Sequence, residues 1–429
     1  MSPDHSLSTT NSFTMIASMI NVLKLTLLSV ILANCKGKVV AFTIHQSTDK
    51  QSLKFELQQC VSPQELLERV ASKLTPQTDP DGSIASLVLV RLAKQIIYID
   101  NNERNNPGEG LQCWRDEILK NKKAWINACT VLTHSFTLDM NPSILESSTE
   151  GFKAASTLSR LLPTSTMLWS PLLTIWNQQS LQFYANLAPH HVTGIMWAYD
   201  TFSLHNKDAI APVSLQDKYN QLHMPFRIIP ACLQEVSDLT VETLINQVDF
   251  QVDTIRTTSN LVVKERRQTA WEGDSGVAPF QYSGKSMLTR SWSPLVETVR
   301  DCLVKTTGQY YDGCLLNLYP DGGSGMRYHS DPDQGALWDF ATAVVSVGAT
   351  RRFAFRDIPS DNEQNDNYQP NSQPHNFFVM GGDVTEMLHD CQARFQHTVK
   401  TADDKNEVAA RASLVFKRTM ITKECIDTA

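Results

Sequence analysis

The sequence predicts an α+β protein: a mixed, largely helical N-terminal region followed by a C-terminal domain of short strands. Three observations lead there. The chain has 429 residues, more than one ordinary domain holds. Its apolar fraction of 41% is enough for real cores. From about Phe226 the pattern turns to β-branched and aromatic runs broken by turns: FRIIP, CLLNLY, TAVVSVGA, RRFAFRD, FFVMGGDV, FQHTVK and ASLVFKR. Such runs in series predict a sandwich or barrel.

The elements follow in order. Residues 1–14 are rich in Ser and Thr and are expected to be loose. Residues 15–35 are apolar but interrupted by Asn21, Lys24 and Asn34. They read as a buried helix, with Ile16, Ile20, Leu23, Leu27 and Ile31 at helical spacing, as a signal or transit segment, or as a marginal membrane anchor. KVVAFTIH at 38–45 and QIIYID at 95–100 read as strands. Ser62-Pro63-Gln64-Glu65 is a capping box that starts a helix. NNERNNPGEG at 101–110 is a loop, and residues 111–132 and 236–248 read as helices. Residues 360–376 form a polar insert between two strands. The expected divisions are 1–36 as leader or buried helix, 37–220 as a region without an assigned function, and 221–429 as the chemical domain.

Composition narrows the function. The net charge is −7, so no global basic field attracts nucleic acid, and any such contact must come from a local patch. The nine cysteines form no CxxC pair. A disulfide framework and a zinc site of the usual spacing are therefore not expected, and reduced thiols inside the cell fit best. His190-His191 is a tempting ligand pair, but adjacent residues do not face each other on a helix, so a surface or turn position is expected.

The chemistry centres on His329-Ser330-Asp331. On a strand, residues i and i+2 share a face, so the imidazole and the carboxylate can bind one metal. Alone, an HxD triplet is weak evidence, and a surface pair is its bland reading. His397, in FQHTV, is the best third ligand, which completes a two-histidine, one-carboxylate triad suited to non-haem Fe(II). His389 and His375 lie near it in sequence but on no matched motif. Arg411 supplies a planar, two-pronged donor for a carboxylate. Asn317 and Tyr319, at the end of a strand, can bond a dicarboxylate.

The ordered set NLYPDGG, RYHSDPD, AVVSVGATRRFAFR, FQHTV and RASLVFK resembles the AlkB family of Fe(II)/2-oxoglutarate dioxygenases over about residues 225–419. The upstream KERRQTAWEGD and FQYSGKSMLTRSW resemble that family's nucleotide-recognition region.

The resemblance implies a double-stranded β-helix (jelly-roll) domain. It implies catalytic Fe(II) on His329, Asp331 and His397, and 2-oxoglutarate held by Arg411 with Asn317 and Tyr319. Ser413 stands where many members have Asn, and Lys417 where the family has a second arginine; Lys keeps the charge but loses the fork. Phe280 and Tyr282 align with base-stacking aromatics. Asp333 resembles the acidic residue that meets the exocyclic amine of a methylated base.

The implied reaction is oxidative dealkylation of bases such as 1-methyladenine or 3-methylcytosine in DNA or RNA, with O2 consumed. The rivals are the same iron chemistry on a protein or small molecule, and a degenerate nucleic-acid-binding module. A local phosphate stripe is expected among Lys264, Arg266, Arg267, Arg290, Arg351 and Arg352. A monomer in the nucleus or cytoplasm, with no stable membrane partner, is expected, with residues 15–35 as the alternative targeting segment.

Overall fold

The computed structural model describes residues 50–104, 120–135, 141–162, 169–252, 254–256, 261–282, 285–331, 337–339, 341–358, 373–388, 390–403 and 407–420. The chain divides into two units, residues 1–59 and 60–429. In the first unit the described residues, 50–59, are helical. Residues 15–35 and the expected strand at 38–45 lie outside the described residues, as does most of the polar insert.

The second unit begins with helices. These are α1 (Pro63–Lys73), α2 (Ser83–Arg104), α3 (Lys122–Ser135), α4 (Pro142–Leu161), α5 (Ser170–Asn177), α6 (Leu181–Ala185), α7 (Pro189–Ser203) and α8 (Val213–Leu222). The forward half of the capping box is formed, with Ser62 Oγ accepting from the Glu65 N–H; Glu65 Oε2 reaches one residue past the cap to accept from the Val61 N–H, and Pro63 opens the helix. No helix among the described residues is long and apolar enough to cross a membrane.

The expected strand at 95–100 is corrected: it is the C-terminal part of α2. Its β-branched run is overruled by the longer pattern. Ile84, Ala85, Val88, Leu89, Leu92, Ala93, Ile96 and Ile97 are all buried, at helical spacing along one stripe. The helix expected at 236–248 is shorter, α9 (Val241–Gln247). Asp238 adopts a φ of 58°, in the left-handed region, which stops the helix from starting earlier. Thr240 then caps it by accepting from the Thr243 N–H.

The strands are β1 (Phe226–Ile229), β2 (Thr254–Arg256), β3 (Val262–Lys264), β4 (Gln268–Gly273), β5 (Phe280–Tyr282), β6 (Lys285–Met287), β7 (Gly313–Tyr319), β8 (Met326–His329), β9 (Thr342–Gly348), β10 (Arg351–Asp357), β11 (His375–Val379), β12 (Val384–Met387), β13 (Phe395–Val399) and β14 (Arg411–Lys417). Two more helices, α10 (Pro294–Thr307) and α11 (Cys391–Arg394), complete the set described. Six strands form one sheet in the order β1-β12-β9-β14-β7-β4, and four form a second in the order β11-β10-β13-β8. Every ladder in both is antiparallel. The expected double-sheet architecture is what the strands build.

Alternation divides the six-stranded sheet into two faces. Cys314, Leu316 and Leu318 of β7, Ala343, Val345 and Val347 of β9, and Ala412, Leu414 and Phe416 of β14 pack on Leu295, Val296, Val299 and Leu303 of α10. Each buried side chain of this kind contributes about 1.5–3 kcal/mol. The intervening residues turn to the other face. Toward one end of the interior, Phe226 of β1 stacks on Phe355 of β10, with centroids 3.9 Å apart.

Residues of the N-terminal helices are bonded into the sheets through buried polar groups. Arg160 of α4 pairs with Asp383 at 2.6 Å, and Asp383 also accepts from the Ala231 and Met380 N–H groups. Asn101 of α2 bonds Thr350 in both directions and reaches Glu407. Helix α7 packs on the edge strands β1 and β11, with Trp197 against Phe377.

Arg160→Ala leaves the buried Asp383 carboxylate without its counter-charge. A loss of about 3–5 kcal/mol is expected, read as a lowered denaturant midpoint.

A second expectation concerns pH. His375 is buried, and its Nδ1 lies 2.7 Å from Thr193 Oγ1. Burial, helped by the nearby His190 and Lys153 charges, pushes its pKa down to about 3. The unfolded chain therefore binds this proton first, near pH 6.5. Stability is complete above that value and falls as pH drops toward 3, by about 1.4 kcal/mol per pH unit from this group. In urea titrations from pH 6.5 to 4, His375→Gln is expected to flatten the profile by about one proton.

Candidate active site

Two paired strands, and the segment that follows one of them, bring the predicted ligands together. His329 ends β8, and Asp331 follows it by two residues. His397 lies in β13 directly opposite His329. Asp331 Oδ1 is 3.6 Å from His329 Nε2 and 3.7 Å from His397 Nε2, and the imidazole centroids are 4.3 Å apart. One ion can touch all three groups.

The surroundings set the state of each ligand. The Nδ1 of His329 lies 2.8 Å from the Arg327 carbonyl. A carbonyl only accepts, so Nδ1 carries the proton and Nε2 keeps its lone pair for a metal. His397 is held face to face with Phe353, rings 2° from parallel. Burial, then the His329 charge, pushes its pKa down to about 3, so its ring is neutral at physiological pH. Burial alone would raise the Asp331 pKa, but the Lys417 ammonium and the two imidazoles hold it well below the usual carboxylate range. Lys417 Nζ sits 2.9 Å from Asp331 Oδ2, which leaves Oδ1 on the side of the imidazoles. Lys417, grouped in the sequence with the cofactor residues, thus contacts a metal ligand.

A cavity of about 510 Å³ adjoins the triad. Asn317, Tyr319 and Ser413 line it, with Val344, Phe353 and Phe280 among its apolar walls. Strand register produces the polar side: Arg411 faces Tyr319 and Ser413 faces Asn317 across the β7–β14 ladder. Arg411 is fully buried and its guanidinium lies 5.9 Å from the Tyr319 ring. Burial lowers its pKa to about 10, so it stays charged at neutral pH. Nη2 donates to Ser346 Oγ at 2.9 Å, while Nε and Nη1 have no partner among the described residues. Asn317 Oδ1 and Ser413 Oγ are also buried and unbonded. A buried cation with two idle donors is costly unless an anion joins it.

Other sequence readings fare unevenly. Phe280 is 1% exposed and packs against Trp271 and Trp338, so it forms the cavity wall within an aromatic cluster. Tyr282 belongs to β5, but its side chain lies outside the described residues, as do Asp333 and His389. His375 is on β11 bonded to Thr193, away from the triad.

The basic stripe needs correction. Arg351 is buried against Glu407 and the Ala409 carbonyl, and Arg267 is buried beside Glu265. Arg352 pairs with Asp403, and Arg290 with Asp249. Lys264 and Arg266 are exposed. The His190-His191 reading also fails: both rings lie in the first turn of α7 and reach Glu146.

Sequence reasoning missed Gln392, whose Oε1 accepts from the Asp331 N–H at 2.8 Å. It also missed Ser346, although a lone serine in the apolar run TAVVSVGA was a legible signal for a polar interior face.

Two facing antiparallel sheets with this triad and this buried arginine define a 2OG-Fe(II) oxygenase. Residues 226–422, a little under half of the chain, match the family profile of the 2OG-Fe(II) oxygenase superfamily. This part of the chain is similar to dioxygenases of the AlkB type. It is 28% identical over 160 residues to the DNA oxidative demethylase ALKBH2 of Homo sapiens, covering 37% of this chain and 58% of that protein. Over 132 residues it is 30% identical to the human alpha-ketoglutarate-dependent dioxygenase alkB homolog 3, covering 30% of this chain and 44% of that protein. An uncharacterized protein of Acanthamoeba polyphaga mimivirus is 29% identical over 163 residues, 38% of this chain and 78% of that protein. The chain thus spans about half the length of the two human relatives.

The residues fit both cofactors. The triad offers two imidazoles and an ionised carboxylate, and the unbonded donors of Arg411 fit a carboxylate. Arg411→Met removes charge-assisted hydrogen bonds worth about 1.5–3 kcal/mol, so the KM for 2-oxoglutarate is expected to rise about ten- to a hundredfold. Steady-state titration of 2-oxoglutarate checks this, alongside loss of its stabilising effect in thermal melts.

Proposed function

We propose that the protein oxidatively dealkylates N-alkylated bases, such as 1-methyladenine and 3-methylcytosine, in DNA or RNA. The observation that carries this reading is the triad beside a buried, anion-seeking guanidinium at an aromatic-walled cavity. The likeness to ALKBH2, named a DNA oxidative demethylase, favours a nucleic-acid base over a protein or small molecule.

In this reading His329, Asp331 and His397 hold Fe(II). Arg411, Tyr319, Asn317 and Ser413 hold the 2-oxoglutarate end remote from the metal. Bound together, the two cofactors and O2 supply the oxidising power to hydroxylate an N-alkyl carbon, with succinate and CO2 as by-products. The hydroxyalkyl group then leaves as an aldehyde and the base regains its N–H or lone pair.

The chain's part is positional. The Arg327 carbonyl fixes the His329 tautomer, Lys417 and Gln392 fix Asp331, and Phe353 fixes the His397 ring. The target base must leave its stack to enter the cavity. Phe280 offers a flat wall there, with Tyr282 and Asp333 as further base contacts. Lys264 and Arg266 are the exposed cations for the phosphate backbone.

Purified full-length protein with Fe(II), ascorbate and 2-oxoglutarate is expected to restore an oligonucleotide carrying 1-methyladenine or 3-methylcytosine, with about one succinate per repaired base. His329→Ala is expected to reduce turnover to background. Succinate formation that no alkylated oligonucleotide stimulates would overturn base dealkylation, while no succinate under any condition would overturn the enzyme itself.

A further inference from the structure

The helical layer holds a second cluster of metal-type ligands. Glu146 lies near the start of α4, and His190 and His191 lie in the first turn of α7. Glu146 Oε2 is 3.2 Å from His190 Nε2 and 2.7 Å from His191 Nε2. The two imidazoles, adjacent in sequence, converge with centroids 4.0 Å apart. Neighbouring residues on a helix normally point about 100° apart, so this convergence is a local arrangement around the carboxylate.

Tetrahedral ligands around one Zn(II), each about 2.0–2.2 Å from it, stand about 3.3–3.6 Å from one another. Without an ion both imidazoles hydrogen-bond the carboxylate at these shorter separations, and a small outward shift opens room for one, since all three atoms already lie within 4.8 Å of each other. His191 is buried and His190 half-buried, while Glu146 is half open to solvent. The two helices carry the ligands rigidly, and the imidazoles hold the Glu146 carboxylate ionised. A cavity of about 270 Å³ reaches Glu146 and His190 and gives a path of entry. The cations on that cavity each have a carboxylate partner: Lys153 pairs with Glu150 at 2.7 Å, and Lys94 and Arg352 pair with Asp403.

We propose that Glu146, His190 and His191 bind a divalent transition-metal ion, Zn(II) by preference, separate from the iron triad. Two imidazoles and one carboxylate match Zn(II) in type and number, and the fourth position opens to the cavity for water. The ion ties α4 to α7.

Full-length protein is dialysed against Zn(II) alone, and bound metal is counted by elemental analysis. Wild type is expected to hold two equivalents, one of them at the triad. His329→Ala/His397→Ala is expected to hold one, and Glu146→Gln or His191→Ala also one. Adding Zn(II) is expected to raise the melting temperature of the His329→Ala/His397→Ala protein, and not after Glu146→Gln is added to it. Turnover of 2-oxoglutarate by the Fe(II)-loaded Glu146→Gln protein is expected to match wild type, which also shows that it is folded. A single equivalent in wild type, or two equivalents that survive both Glu146→Gln and His191→Ala, overturns the proposal.

Discussion

The two-residue period of strand β14 governs the catalytic domain. Ala412, Leu414 and Phe416 turn into the apolar core, and Arg411, Ser413 and Lys417 turn toward the interior site. A shift of one residue would drive an arginine and a lysine into the packing against α10 and empty the site of both cations. The strand is fully paired on both sides, with β7 and β9, so that register is fixed by two ladders. The positions of Asn317 and Tyr319 are fixed by the same ladders. The chemistry of the site is therefore set by hydrogen-bond register before any side chain chooses a rotamer.

The two interior cations of β14 differ in how they are balanced. Lys417 has its anion within the chain, at Asp331, and so fixes which oxygen of that carboxylate faces the imidazoles. Arg411 has a serine hydroxyl and an aromatic face, and two idle donors. One charge positions the carboxylate of the candidate triad, and the other keeps donors that an anion could fill. The substitution of lysine for the family's second arginine suits the first task, since a point charge can sit on one carboxylate oxygen without a fork.

What the sequence made legible was local. Alternating runs from Phe226 onward gave the strands, and the HxD spacing with His397 and Arg411 gave the site. The misreadings share a cause. The six residues at 95–100 look like a strand alone and become helix only when read with the stripe from Ile84. His190 and His191 look unable to cooperate until a carboxylate from a different helix stands between them. Arg351 looks like a phosphate contact until Glu407 closes over it. The first needs a window wider than six residues, and the other two depend on partners more than forty residues away in sequence, which no short window contains. The contact of Lys417 with Asp331 is of the same kind, joining residues 86 apart.

The place of helix α7 on the strands bears on solubility. Strands β1 and β11 end their respective sheets, and their outer backbone groups have no further strand to bond. An exposed strand end of this kind recruits strands from other molecules. Helix α7 covers both at once, with Trp197 wedged against Phe377. The opposite end of the four-stranded sheet carries His329 and borders the cavity. The sandwich thus has a sealed side and a working side. Helix α7 thus lies against two strand edges of the kind that can otherwise pair with another chain.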